Sequence, residues 1–165
     1  MARQWLSSGA VERVVDASAQ DVYRVVSDVT TTGTRSNECR RVEWLPGGGE
    51  GAVVGARFRG HNRSGLARWS RVCEVVEAEP ARVFAFRTVP ERFDPSRRDS
   101  TTWRYEIFPD GDGARVRHSY EIIVPPLPPF RAVYGVLLPH HRDMRPSMEH
   151  TLEALARSFA SSTTR

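Results

Sequence analysis

Four consecutive stretches of the chain alternate so that one parity collects aromatic and aliphatic side chains. They are Trp69, Cys73 and Val75; Phe84 and Phe86; Trp103, Tyr105 and Ile107; and Val116, His118, Tyr120 and Ile122. Residues two apart on a strand share a face, so these sets look inward from one antiparallel sheet. The other parity carries Arg87, Arg104, Glu106, Arg117, Ser119 and Glu121, which suits a face in water. Upstream, residues 10–16 read as a first strand. Ser18 followed by Asp21 is a helix-capping pair, and Val22, Val25, Val26 and Val29 then fall on one helical stripe. The threonine-rich stretch 30–37, which holds Gly33, allows a short second helix.

Residues 41–45 form a short strand, ended by Pro46 and the flexible run Gly47-Gly48-Gly49. Residues 55–76 read as a hairpin about Arg63-Ser64-Gly65, and 82–89 as the next strand. The stretch 90–100 is a charged loop, and 101–124 is a hairpin about the turn 109–113. The proline-rich 125–129 is expected to be a stiff extended connector. From about Pro139, Met144, Met148, Leu152, Leu155 and Phe159 recur at helical spacing and predict one long C-terminal helix. A curved sheet with an aromatic inner wall, gripped by one helix, can enclose a pocket, so small-molecule binding is the first functional expectation.

A chain of 165 residues suits a single domain over 1–165, large enough to bury about two-thirds of its unfolded surface. No stretch approaches the ~20 apolar residues of a membrane helix, and Met1–Ser8 has no apolar core of secretory length, which points to a cytoplasmic location. Cys39 and Cys73 are far apart and make no metal or disulfide motif. All 24 basic residues are arginine, so Schiff-base chemistry on a lysine is excluded. The net charge of +4 is spread in ones and twos, with Arg40-Arg41 and Arg97-Arg98 the adjacent pairs, rather than in a stripe that would hold nucleic acid.

Among the inward positions, His118 has an imidazole that can move a proton near neutral pH. Arg71 shares parity with Trp69 and Cys73, so it must meet a carboxylate, meet an anionic or carbonyl group of a ligand, or turn out at the rim. His61 has the outward parity. His140, His141 and His150 lack an HExxH-type pattern and read as a solvated helix face, with no metal site expected. No triad, Walker loop or dinucleotide fingerprint is present, so no cofactor is expected either.

The ordered set Asp16-Ala17-Ser18, Ser27-Asp28-Val29, Val42-Glu43-Trp44-Leu45 and Val54-Gly55-Ala56-Arg57-Phe58-Arg59-Gly60-His61-Asn62-Arg63 carries a resemblance. It continues through Trp69 with Cys73, Val75 and Glu79-Pro80, then Phe84-Ala85-Phe86, Trp103-Arg104-Tyr105-Glu106, Arg115-Val116 and Ser119-Tyr120-Glu121. The chain resembles the START-like (Bet v 1-like, SRPBCC) superfamily, in its polyketide cyclase/dehydrase-type branch. It departs at Thr34-Arg35-Ser36-Asn37-Glu38, where similar proteins often carry an aromatic residue and a proline. The resemblance implies an α+β helix-grip fold, a curved antiparallel sheet of about seven strands around a long C-terminal helix, with a deep cavity between them.

It further implies binding or transport of an apolar or aromatic small molecule, lipid or polyketide-like. The cavity wall is expected to include Phe58, Asn62, Trp69, Phe84, Phe86, Trp103, Tyr105 and Tyr120, with Met144 and Met148 from the helix. An alternative is a polyketide cyclase or dehydrase, with His118 as proton shuttle and Arg71 or Tyr105 polarising carbonyls. A further alternative is an interaction domain whose cavity is filled by its own side chains. The expected partner is a small molecule, for a monomer or homodimer.

Overall fold

The computed structural model describes residues 4–47 and 51–161; Gly48 and Gly49 of the expected flexible run lie outside the described residues. Strand β1 (Ser8–Val15) leads into helix α1 (Ala19–Ser27). Ser18 Oγ accepts the Asp21 backbone N–H at 3.1 Å and donates to the Asp21 carboxylate at 2.8 Å, which satisfies an otherwise orphaned donor of the first turn. Val22 and Val26 are buried on one face of α1, which packs against the sheet. Asp28 then caps a 3-10 turn over Val29–Thr34, the short second helix that the threonine-rich stretch allowed. Gly33 is required there, because a Cβ would collide with the Arg40 carbonyl oxygen.

The remaining strands run as a meander: β2 (Cys39–Trp44), β3 (Arg57–Ser64), β4 (Ala67–Glu79), β5 (Val83–Thr88), β6 (Ser100–Asp110) and β7 (Gly113–Val124). All neighbours are antiparallel and β1 closes on β7, giving the order β1-β7-β6-β5-β4-β3-β2. The β6–β7 turn is tighter than the sequence suggested: Asp110 already pairs with Gly113, and Gly111 takes the positive φ of 58° that such a turn demands. Bulges at Cys39/Arg41, Val75/Glu77 and Ser100/Thr101 bend the strands locally and help the sheet curve.

The convex face is laced by cross-strand ion pairs. Glu74 receives Arg57 and Arg87 at 2.8 and 3.1 Å, Arg104 bridges Glu77 and Glu106, and Glu12 receives Arg115 at 3.2 Å. Exposed pairs of this kind contribute at most about 1 kcal/mol each, so their main effect is to keep this face wet and the aromatic face inward.

The C-terminal third differs from expectation in two places. Only Pro125–Leu127 is extended; Pro128 and Pro129 open a helix, α2 (Pro128–Leu137), that the sequence reading missed. Proline suits a first helical turn, whose N–H groups have no intrahelical partner and whose φ the ring already sets. The long helix α3 (Arg145–Ala160) begins later than predicted, after a separate 3-10 turn over Pro139–Arg142. Pro146 explains the break, since a continuous helix would drive its ring into the Arg142 carbonyl. That carbonyl accepts the Leu6 N–H at 2.9 Å instead. Helix α3 lies across β1 and β7, burying Met148, Leu152 and Leu155. The result is the helix-grip arrangement, an open curved antiparallel sheet holding a C-terminal helix.

Candidate functional site

Between the concave face, the 29–38 segment, α2 and α3 the side chains leave a cavity of about 490 Å3, so the core is not filled by the protein's own groups. Its sheet wall carries Phe58, Phe86, Trp103 and Tyr105, with Asn62 and Trp69 further along and Met144 and Met148 supplied from the helix side. Two expected wall residues are elsewhere. Phe84 is fully buried in the core with its ring tilted on Phe86 at 5.9 Å. Tyr120 aims its hydroxyl at the Leu6 carbonyl, 3.3 Å away, and its ring lies close against Gly9. Exposed Arg68 and Leu137 also line the space and mark where it meets solvent.

His118 faces Tyr105 across the β6/β7 ladder, and the two rings stack with centroids 4.0 Å apart and planes 11° from parallel. The imidazole is buried, and its Nδ1 has no hydrogen-bond partner among the described residues. Burial, helped by the nearby Arg35 charge, pushes its pKa down to about 3. The group is therefore neutral at ordinary pH, which removes the near-neutral basicity that a proton-shuttle role requires. Burial likewise pushes the Tyr105 phenol up to about 12, so it stays protonated and able to donate. The two thiols on the wall, Cys39 and Cys73, are raised to about 11 and about 12 by burial and are inert as nucleophiles at neutral pH.

Arg71 does point inward, and it has found a carboxylate. Its Nη1 donates to Asp99 Oδ1 at 2.8 Å and its Nη2 to the Asp99 carbonyl at 2.8 Å, while Nε has no partner among the described residues. Of the three fates open to Arg71 in the sequence, the structural ion pair is the one observed. Next to it, the Tyr134 hydroxyl of α2 donates to the Ser96 carbonyl at 2.8 Å and holds the helix over the 95–99 loop.

Arg35 is the residue that sequence reasoning missed. It follows the 3-10 turn, is 5 % exposed and lines the cavity. Nη1 donates to Thr31 Oγ1 at 2.7 Å, and among the described residues no carboxylate pairs with the guanidinium. Burial lowers its pKa, offset in part by Tyr105 and Asp28 acting through space. A buried cation without a counter-charge is costly unless something else meets it.

A second polar cluster was also missed. Glu38 Oε1 lies 2.8 Å from His141 Nε2, and Oε2 lies 3.2 Å from His140 Nε2. The histidines are half-buried on the 3-10 turn rather than solvated on a helix face; His150 is exposed on α3 as expected. Hydrogen bonds from the two imidazoles hold the Glu38 carboxyl down at about 2 against the opposing effect of burial.

Residues 8–160 match the family described as polyketide cyclase / dehydrase and lipid transport. The chain belongs to that family. No curated protein matches the sequence. Solved structures similar to this family member include a protein from Thermus thermophilus, at 22% identity and a TM-score of 0.67, with 95% of this chain and 99% of that one covered. A START superfamily protein from Mycobacterium smegmatis is 16% identical with a TM-score of 0.68, covering 93% and 97% of the two chains. The di-domain ARO/CYC StfQ from the steffimycin biosynthetic pathway is 11% identical with a TM-score of 0.67; 98% of this chain aligns with 53% of that one. At these identities the structures establish a shared fold. No helix among the described residues is long and apolar enough to cross a membrane.

Proposed function

We propose that the protein binds a hydrophobic small molecule, lipid or aromatic polyketide-like, in the 490 Å3 cavity, with a carboxylate, enolate or carbonyl end against Arg35. The observation that carries this reading is a nearly fully buried arginine that lines an aromatic cavity and has no carboxylate partner among the described residues. Pockets for small ligands are apolar with a few placed polar groups, and a guanidinium is the side chain best shaped for a carboxylate or polarised carbonyl.

Matched pairs test it: a long-chain fatty acid against its alcohol, and an aromatic polyketide acid against its decarboxylated form, each followed by thermal shift. A ligand at a hundred times its Kd stabilises the fold by about 2.7 kcal/mol. The acid of at least one pair should stabilise more than its neutral partner, and Arg35→Met should erase that difference. No stabilisation by any of the four, or a preference that survives Arg35→Met, overturns the reading.

A second reading, cyclisation or dehydration of a poly-carbonyl substrate, is favoured by Arg35 acting electrostatically on both Tyr105 and His118. In that reading the guanidinium and the Tyr105 hydroxyl polarise a carbonyl, and His118 contributes as a neutral hydrogen-bonding ring. Turnover of a poly-carbonyl substrate that falls in Tyr105→Phe while affinity is kept would support it; the absence of any turnover sinks it.

A further inference from the structure

We infer that Glu38, His140 and His141 form a binding site for a divalent transition-metal ion of the zinc class in the cavity wall. The three donors come from chain segments 102 and 103 residues apart and meet on one carboxylate. One ligand atom from each lies within 4.8 Å of the others. With metal–donor bonds of 2.0–2.1 Å, the edge of a coordination tetrahedron is about 3.3 Å. The observed Nε2–Oε separations of 3.2 and 2.8 Å both fall a little short of that edge, so small outward side-chain adjustments would admit an ion.

Neighbouring residues in a helical turn normally send their side chains in different directions. Here the two imidazoles stand edge to face, centroids 4.6 Å apart and planes at 86°, and both present Nε2 to Glu38. The backbone on each side is fixed. The Arg63 N–H donates to the Glu38 carbonyl at 2.9 Å, Ser36 Oγ accepts the Glu38 N–H at 3.1 Å, and the His141 N–H donates to the Leu138 carbonyl at 2.9 Å. Trp69 packs edge-on to the His141 ring at 5.9 Å. Preorganised donors of this kind lose little entropy on binding an ion.

Two imidazoles and one carboxylate match the protein ligands of open zinc sites, which keep a further position for water or substrate. All three residues line the cavity, so that position faces the space in which a ligand would lie. An ion there would act as a Lewis acid on a ligand oxygen. The nearby cations have partners of their own: Arg40 donates to the Asn37 carbonyl at 3.1 Å and Arg71 is paired with Asp99.

The test uses full-length protein stripped with a chelator and titrated with Co2+, then with Zn2+. The expected result is one saturable equivalent, a visible d–d band for bound Co2+, and loss of the band on adding Zn2+. Glu38→Gln, His140→Ala and His141→Ala should each weaken binding by about tenfold or more, while His150→Ala, an exposed histidine on α3, should leave it unchanged. Circular dichroism establishes that each variant is folded. Should the variants unfold, diethylpyrocarbonate modification of wild-type protein replaces them, with His140 and His141 protected by Zn2+ and His150 not. No stoichiometric binding, equal loss in His150→Ala, or unprotected His140 and His141 would show that the cluster is only an ion-paired clamp between two segments.

Discussion

Two arginines, Arg35 buried and Arg71 partly buried, reach the same cavity and meet opposite fates. Arg71 leaves a regular strand, β4, opposite a loop that returns Asp99 to it, and its charge is balanced by a carboxylate and backbone carbonyls. Arg35 leaves an irregular turn and, among the described residues, finds only Thr31 oxygens. Both side chains are held in place, yet only one is electrostatically complete. The balanced corner is built to hold the loop and β4 together, whereas the unbalanced corner makes electrostatic sense with a ligand in place. Position on the wall therefore says less about function than what each charge has been left to do.

The contrast breaks most visibly at the paired corner. Asp99→Ala strands the Arg71 charge and should cost about 3 kcal/mol of stability, the low end for a broken buried pair, read from the midpoint of urea unfolding. An effect under about 1 kcal/mol would mean that solvent already screens Arg71. Smaller for each pH unit is the acid dependence carried by His118 beside Arg35 and Tyr105. Its folded-state pKa of about 3 lies below the ordinary 6.5, so the unfolded chain binds the proton first. This contribution is complete above 6.5 and is lost as pH falls toward 3, at ~1.4 kcal/mol per pH unit. His118→Phe, which keeps a ring against Tyr105, should flatten that slope in unfolding curves taken across the range.

Gly33→Ala should cost about 1–3 kcal/mol by forcing the 3-10 turn away from Arg40, and should displace Arg35 with it, so ligand stabilisation falls together with thermal stability. Arg35→Met should change the stability of the free protein by less than about 1 kcal/mol, or raise it, because it removes an uncompensated buried charge. A loss as large as that of Asp99→Ala would erase the distinction between the two corners.

Strand parity made most of the sheet legible: the inward set from Trp69 to Ile122, the wet set from Arg87 to Glu121, and the hairpin at Gly111 all follow from a period of two and turn chemistry. Parity also put Arg71 inside, but it had no means of finding Asp99 across a loop. Arg35 and Glu38 escaped because the 29–38 segment has no repeating period, so nothing local tells which side chains face the core. His140 and His141 were assigned to a helix because the Met144-to-Phe159 spacing was extended back to Pro139 past Pro146, a residue whose missing N–H argues for a restart. Helix α2 was hidden by reading five residues of proline-rich chain as one unit, although the last two prolines suit a helix's first turn. Tyr120 and Phe84 show the opposite error, since sharing a face with cavity residues does not place a ring in the cavity when the sheet bends and the N-terminal segment or the core claims it.

The thiol of Cys73 gives the folded chain an internal stopwatch. It is 8 % exposed, lies on the cavity wall and is held protonated, so a thiol reagent must come through the cavity or wait for the sheet and its coverings to part. The labelling rate at that sulfur thus counts entries to the cavity. Any compound that occupies the space beside it should slow the count, with no dye, cofactor or assay chemistry needed to see it.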